Sequence, residues 1–246
     1  MNREMSVFAD GRGIAAGCRL HLSGKETLSV RPDLFRLEIY DLSGSSFSLL
    51  AGAKKISVRS GPSVLAEGSV CGVHRRPEAG RSLVTAVFSP AYDFWQSSVS
   101  LSVPAGMRLS DTARLLLEGS GFPLLSFSGQ DRVFSRAQAF YGRRADALAR
   151  LAEAAGAEAC VTAEGVRVIG KTDRAVTLEL TERELLSAPS PADGRVILTV
   201  PVSGWPVGAY VRFTHPARTG EGRIVSRLLD ADTASGPWRS ELLTEV

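Results

Sequence analysis

Closely spaced carboxylates are the side chains of this sequence best suited to chemistry. Two carboxylates flanking a glycosidic bond can cleave it, one as acid and the other as base or nucleophile, which would suit an enzyme that degrades cell walls. Three pairs qualify by proximity: Glu38 with Asp41, Glu182 with Glu184, and Asp230 with Asp232. Residues two apart on a strand share a face, so the last two pairs are co-facial if extended. Because acidic side chains normally lie in solvent, we interpret all three pairs as solvated sheet faces.

Histidine and cysteine do not show the spacings of a metal or catalytic site. The chain has three of each: His21, His74 and His215, and Cys18, Cys71 and Cys160. There is no C-x-x-C motif, and no base is placed to activate a nucleophile, although groups distant in sequence can meet in the fold. We therefore expect no catalytic or metal-binding residue and no disulfide framework, with folding in a reducing compartment.

The glycine pattern near the N-terminus does not indicate a nucleotide site. Gly11, Gly13 and Gly17 are spaced as G-x-G-x-x-x-G, one residue away from the dinucleotide-binding motif. The segment 19–22 that follows is typical of a strand, where that motif requires a helix. We interpret the glycines as a turn and expect no cofactor.

Charge and hydropathy indicate an ordinary folded chain. Lys and Arg number 29 against 26 Asp and Glu, so the net charge of +3 does not indicate nucleic-acid binding. The tight basic pairs, Arg75–Arg76 and Arg143–Arg144, are interpreted as solvated surface. The first ten residues lack an apolar stretch of signal-peptide length, and no apolar run approaches the roughly 20 residues that cross a bilayer. We expect no export signal and no membrane anchor.

Strand patterns dominate both ends of the chain. Phe35–Tyr40 alternates apolar and charged residues, and similar alternation recurs at 55–58, 63–73 and 83–88, with Gly and Pro between them. Strands are also predicted at 175–180, 195–200, 210–213, 222–229 and 239–243. The Pro-containing segment 187–194 is predicted to be a loop. These patterns indicate β-rich domains over 1–103 and 171–246.

A different pattern separates the two β-rich regions. Ser110 is a plausible N-cap and Gly119 a plausible stop for a helix over about 110–118, and helical spacing predicts a second helix over 144–155, ending at Gly156. Two short strands follow, at 158–162 and 166–169. Helix, helix and hairpin together predict an α/β insert over 104–170. The expected fold class is mainly β with this insert.

Two parts of the sequence resemble a known family. One runs from Val103 to Gly170 and includes SDTARLLLEGSG, FSRAQAFYGRRADALARLAEAAGA and VRVIG; the other includes VGAYVRF and GEGRIVSRLLDADTASGPWRSEL near the C-terminus. Both resemble the baseplate hub proteins of phage tails and related contractile injection systems, of the Mu-like or late control D type, which belong to the tail-tube-like barrel family. The resemblance covers most of residues 30–246.

The resemblance implies a structural role. Hubs of this type are homotrimers in which each chain supplies two small tube-like β-barrels, here flanking the insert, so that three chains match the hexameric tail tube above. A spike or tail fibre protein binds below, and the tape-measure protein and DNA pass through the lumen, which we expect to be polar and acidic. The family implies no catalytic residue and no cofactor. It places the protein in the virion tail, assembled in the host cytoplasm.

Two other functions remain open from the sequence. A tail-associated peptidoglycan hydrolase would use convergent carboxylates, and a monomeric carbohydrate- or peptide-binding β module would use exposed aromatics. Phe134, Phe140 and Tyr141 could line such a groove or form the core of the insert. We expect Trp95 to lie in the core, whereas Trp205 and Trp238 suit either a core or an interface.

Overall fold

The computed structural model describes residues 3–78, 80–174 and 176–246. The first part of the chain contains seven strands and one helix: β1 Ser6–Ala9, β2 Arg12–Ile14, β3 Leu20–Thr27, β4 Phe35–Tyr40, α1 Gly44–Gly52, β5 Lys55–Ser60, β6 Ser63–Glu78 and β7 Arg81–Ser89. The middle part contains α2 Tyr92–Gln96, β8 Ser98–Val103, α3 Leu109–Leu117, β9 Leu124–Phe127, β10 Gln138–Arg143, α4 Arg144–Ala154, β11 Ala157–Thr162 and β12 Gly165–Gly170. The last part contains β13 Val176–Thr181, β14 Ser190–Ala192, β15 Arg195–Pro201, β16 Tyr210–His215, β17 Arg218–Asp232 and β18 Trp238–Glu245.

The chain divides into two compact units. Unit 1 comprises Met1–Thr27, Asp33–Pro90 and Ala175–Val246, and unit 2 comprises Leu28–Pro32 and Ala91–Arg174. The prediction of a mainly β chain with an α/β insert is confirmed. No helix in the described ranges is both long and apolar enough to span a bilayer.

Unit 1 is built on one thirteen-stranded sheet. Its strand order is β14-β15-β18-β17-β3-β4-β7-β6-β5-β1-β2, and β16 pairs with both β13 and β17. The first and last β regions, predicted as separate barrels over 1–103 and 171–246, are joined in this sheet through the antiparallel pairing of β3 with β17. The three-part division at 103/104 and 170/171 and the number of barrels stay predictions.

Alternation along the strands forms the core of unit 1. Leu20 and Leu22 on β3, Leu37 on β4, and Leu229 and Ala231 on β17 are almost fully buried in one hydrophobic cluster. The residues between them lie on the opposite face of the sheet. Full burial of a leucine contributes about 1.5–3 kcal/mol, so the register of these strands is strongly fixed.

Arg227 on β17 ties three segments of unit 1 together. Its side chain is only 4% exposed, and its guanidinium forms an ion pair with Glu26 of β3 at 3.0 Å. It also donates hydrogen bonds to the carbonyl oxygens of Ser203 at 3.0 Å and Leu65 of β6 at 2.8 Å. The loop containing Ser203 lies tightly on β6, because a Cβ on Gly204 would lie 2.5 Å from a carbonyl oxygen of that strand.

Unit 2 packs two small sheets against helices. β8 and β10 form an antiparallel pair, and β9 pairs parallel to β12, which pairs antiparallel to β11. Ala113 and Leu116 of α3 and Leu148 and Leu151 of α4 are buried in its core. Helices at 110–118 and 144–155 were predicted nearly in full. The expected helix, helix and hairpin are present, together with α2, β8, β9 and β10.

Three local predictions are wrong. The segment 187–194, predicted to be a loop, contains the short strand β14, which pairs with β15. The first β region also contains α1, where the Ser43 side chain accepts a hydrogen bond from the Ser46 amide and caps the helix. Arg144, predicted to be solvated, is buried because it donates to the carbonyl oxygens of Leu116 and Glu118 and so caps the end of α3.

We predict that Arg227→Met lowers the free energy of unfolding by about 3–5 kcal/mol, because it removes a buried guanidinium from the Glu26 carboxylate and from the carbonyl oxygens of Ser203 and Leu65. Urea unfolding followed by circular dichroism measures the loss. Arg212→Met is the matched control: Arg212 is exposed, contacts Glu179 and Glu221, and its loss should lower the free energy of unfolding far less than the loss of Arg227. Equal losses in the two variants would contradict the structural role of Arg227.

Candidate functional site: the paired-charge face of the large sheet

The face of the β4–β3–β17 sheet opposite the core is occupied by charged side chains. The register places His21 of β3 opposite Glu38 of β4 and Asp232 of β17. Asp230 lies two residues before Asp232 on the same strand and therefore on the same face. This arrangement joins residues from both ends of the chain, because His21 and Asp230 are 209 positions apart. We call these residues and the arginines beside them the paired-charge face.

His21 is at the centre of the paired-charge face. Its Nδ1 lies 3.2 Å from Oε2 of Glu38, and its Nε2 lies 2.9 Å from Oδ1 of Asp230. The imidazole therefore bridges β4 and β17. Only the imidazolium can donate to both carboxylates at once, because a neutral imidazole has one N–H.

Two arginines complete the charge pairing. Arg36 donates to Glu38 at 2.6 Å, and Arg19, just before β3, donates to Asp232 at 2.7 Å. The Arg19 guanidinium also lies over the Tyr40 ring, 4.8 Å from its centroid. The Asp232 side chain is 6% exposed and the Arg19 side chain is 39% exposed, so solvent reaches this ion pair from the side of the guanidinium.

The pairing shifts the pKa values in opposite directions for bases and acids. Burial lowers the pKa of His21, but the hydrogen bonds and charges of Asp230 and Glu38 outweigh burial and raise that pKa above its ordinary value of 6.5. Burial raises the pKa of Glu38, but hydrogen bonds from His21 and Arg36 outweigh burial and lower that pKa. Burial likewise raises the pKa of Asp232, but the hydrogen bond from Arg19 leaves it lowered. The charged forms of these groups are thus mutually stabilised.

This geometry favours a structural role for the paired-charge face. A catalytic histidine must leave one ring nitrogen available for a nucleophile, substrate or water. Both nitrogens of His21 face carboxylates, and the Glu38 carboxylate is also bound by Arg36. The arrangement therefore holds neighbouring strands together and keeps the surface close to neutral.

The carboxylate pairs predicted from the sequence do not converge on a common site. Asp230 and Asp232 share a face but bind different cations, and Asp41 accepts a hydrogen bond from the Ser82 amide in a turn. Glu182 and Glu184 are in a turn after β13, so the extended backbone that would place them on one face is absent at this pair. Glu184 binds the backbone N–H and hydroxyl of Thr181.

The other polar candidates are also separated. His74 is exposed on β6, and Nδ1 of His215 accepts a hydrogen bond from the Ala217 amide in a turn. Gly11 lies with Asp10 in the two-residue turn between β1 and β2, and both have positive φ, as a type I′ turn requires. Within the described ranges, no group of three or more His, Cys, Asp or Glu residues could hold a metal ion.

The aromatic candidates are mostly packed against the cores of their own units. Trp238 is 8% exposed in unit 1, whereas Trp95 is only partly buried and carries the Arg143 guanidinium on its ring. Phe134 and Phe140 contact each other in unit 2, with ring centroids 6.2 Å apart. Tyr141, 75% exposed, is the member of the proposed aromatic groove that faces solvent. These aromatics therefore do not form one groove.

The fold is similar to solved tail proteins, although no protein-family model and no curated protein matches the sequence. The 43 kDa tail protein of prophage MuSo2 from Shewanella oneidensis superposes with a TM-score of 0.74 at 12% identity, over 99% of this chain and 98% of that one. The tail protein from Neisseria meningitidis MC58 gives 0.71 at 11% identity, over 98% and 95%.

A third solved structure extends the likeness to a secretion system. An E. coli component of the type VI secretion system, itself described as similar to the T4 tail proteins gp27 and gp5, gives a TM-score of 0.64 at 9% identity. The match covers 96% of this chain and 75% of that one. At such identities the likeness establishes the fold, and it includes both compact units.

We predict that His21→Gln destabilises the protein by about 1 kcal/mol near pH 5.5 and by less above pH 7.5, on the order expected for a partly buried ion pair. The folded-state pKa of His21 is raised, so its contribution is fully present below about 6.5 and is lost as pH rises through the folded pKa. In acid the contribution is lost again, because Glu38 becomes protonated as pH falls below its ordinary pKa of 4.5 and through its lower folded-state pKa. Thermal unfolding of both proteins across this range measures the difference.

His74→Gln provides the control for this pH dependence. His74 lies on β6 of the same unit and is exposed, so its replacement should change the midpoint of unfolding little at any of these pH values. A stability difference between wild type and His21→Gln that stays constant from acid to alkaline pH would show that the imidazolium does not stabilise the sheet.

Proposed function

We propose that this chain is the structural hub of a phage or phage-like tail. Three copies would form a ring that joins the hexameric tail tube above to the trimeric spike or fibre apparatus below. The observation that carries the proposal is the end-to-end likeness to the MuSo2 tail protein, which includes both the large sheet and the α/β unit. A tail structural role is also consistent with the E. coli relative described as similar to gp27 and gp5.

The paired-charge face supports a mechanical function. The tape-measure protein and DNA would pass through the lumen of the ring, and an excess of cations there would bind phosphates in a salt-dependent manner. On the paired-charge face, Arg19, Arg36 and His21 are each bound to carboxylates, which reduces their attraction for a polyanion. Such a surface suits a lumen that is polar without retaining DNA. The proposed location is the virion tail, after assembly in the host cytoplasm.

The hydrolase and binding-module alternatives have weaker structural support. Cleavage of a glycosidic bond requires one protonated and one ionised carboxyl on either side of the bond. Here Glu38 and Asp232 have lowered pKa values, and Glu38, Asp230 and Asp232 each contact a base. We therefore propose a non-enzymatic role for the chain.

We predict that the purified protein includes a species with a mass near three times 26.2 kDa, and that the fraction of the protein in this species increases with protein concentration. Negative-stain electron microscopy should show this species as threefold rings. Light scattering coupled to size-exclusion chromatography measures the mass. A constant mass of 26.2 kDa, together with no threefold particles on addition of the cognate tube protein, would contradict the hub.

A peptidoglycan turbidity assay on the same preparation distinguishes the enzymatic alternative. No clearing is expected above that of a preparation carrying both Glu38→Gln and Asp230→Asn. Clearing that depends on these carboxylates would instead support the hydrolase.

A further inference from the structure

Unit 2 has an open apolar groove beside α3. The groove has a volume of about 810 Å³ and is lined by one side of α3 together with the segment 121–124. Leu115, Phe122 and Leu124 form its apolar floor, and all three are partly buried. The volume is within the range of about 300–1,000 Å³ that protein sites for small molecules and side chains occupy. The groove is therefore large enough for one or more apolar side chains.

The turn after α3 fixes the shape of the groove. The Ser120 hydroxyl donates to the carbonyl oxygen of Leu117 at 2.7 Å and accepts the Phe122 amide at 3.0 Å. The Phe122 ring then packs edge-on against Phe94, with centroids 5.5 Å apart. Arg144 binds the carbonyl oxygens at the end of α3 from the other side. A preformed groove of this kind loses little conformational entropy when it is filled.

An open strand edge begins at the end of this groove. β9 starts at Leu124, which lines the groove, and pairs with β12 on one side. In the part of the chain that the structure describes, no strand pairs with its other side. Leu125 on β9 is 41% exposed. An exposed edge of this kind can accept an extended segment of another chain by main-chain hydrogen bonding.

The rim of the groove carries one uncompensated negative charge among the residues that the structure describes. Asp111 and Arg114 lie on this rim and bind each other at 2.7 Å, so their charges are compensated. Glu118 is exposed on the same rim, and it has no cationic partner among the residues that the structure describes. Its carboxylate would pair with a Lys or Arg of an occupant, at the position where the segment leaves the groove.

We propose that this groove, together with the edge of β9, binds an extended segment of a partner protein that carries large apolar side chains followed by a basic residue. The apolar side chains fill the space above Leu115 and Phe122, the main chain extends the β11–β12–β9 sheet, and the basic residue pairs with Glu118. The proposal does not depend on a trimeric ring, because all the residues that it uses belong to one unit of one chain.

The test uses fluorescein-labelled peptides of about ten residues with alternating leucine and threonine and with either lysines or glutamates at both ends. Fluorescence anisotropy measures their affinity for the full chain. Wild type is expected to bind the lysine-ended peptide about fivefold more tightly than the glutamate-ended one, and Glu118→Lys is expected to invert this preference. A lysine-ended peptide N-methylated at every leucine and threonine should lose most of its affinity, because neither of its edges can then donate main-chain hydrogen bonds to a strand edge.

Glu153→Lys is the matched control. It makes the same charge change at an exposed position of α4 outside the groove and should leave the wild-type preference unchanged. Glu118→Lys should fold normally, since a cation is favourable at the C-terminal end of α3; circular dichroism checks this.

Three results would overturn the proposal. The first is no peptide binding, or equal preferences in wild type and Glu118→Lys. The second is undiminished binding of the N-methylated peptide. The third is self-association that Glu118→Lys abolishes and Glu153→Lys does not, since the occupant would then be a second copy of this chain.

Discussion

The β-rich unit depends on the ability of β17 to pair with three strands. Its first residues pair with β16, its residues from Ser226 onward pair with β3, and β18 follows its other side for most of its length. The irregularity between Ile224 and Ser226 lies where the partner changes from β16 to β3. A bulge bends a strand and increases its twist, which allows such a change. Arg227 follows at once and anchors the new pairing to Glu26 and to β6.

The two faces of the β3–β17 pair differ in the kind of contact that stabilises them. On the core face, the alternation of apolar residues fixes the register of the strands. Arg227 also lies on this face, where it is buried and contacts Glu26, Ser203 and Leu65. On the opposite face, His21 connects β3 to β17 through Asp230, and Arg19 does so through Asp232, whose charged form burial alone would destabilise. Enzymes usually leave a perturbed group available to substrate, whereas here the perturbed groups bind each other. The surface is thus suited to contact other molecules without binding them tightly, as the proposed passage through a ring would require.

The sequence predicts the elements that are set by neighbouring residues, but it does not predict the contacts between residues that are distant in the chain. The alternation of Phe35–Tyr40 and the helical spacing of 144–155 are set by neighbouring residues, so both elements were placed almost to the residue. The sequence gives no signal for the role of His21, because its carboxylate partners lie on other strands, one of them 209 positions away. The prediction for Arg144 is wrong because its partners are carbonyl oxygens, which carry no signal in the sequence. Helix α1 was missed because its Gly- and Ser-rich sequence has weak helix propensity and depends on the Ser43 cap.

The edge strands of the two units differ in length and in the charge around them. The large sheet ends at β2 and β14, which have three residues each, and short edges limit unwanted pairing. Its longer open edge, β13, carries Glu179, which is already bound by Arg212. In unit 2, the edge of β9 lies beside an apolar groove whose Glu118 is unpaired within the described ranges. Because these edges differ in polarity and share no residue, a substitution at Glu118 would change the charge preference of the proposed groove while leaving the edges of the large sheet intact.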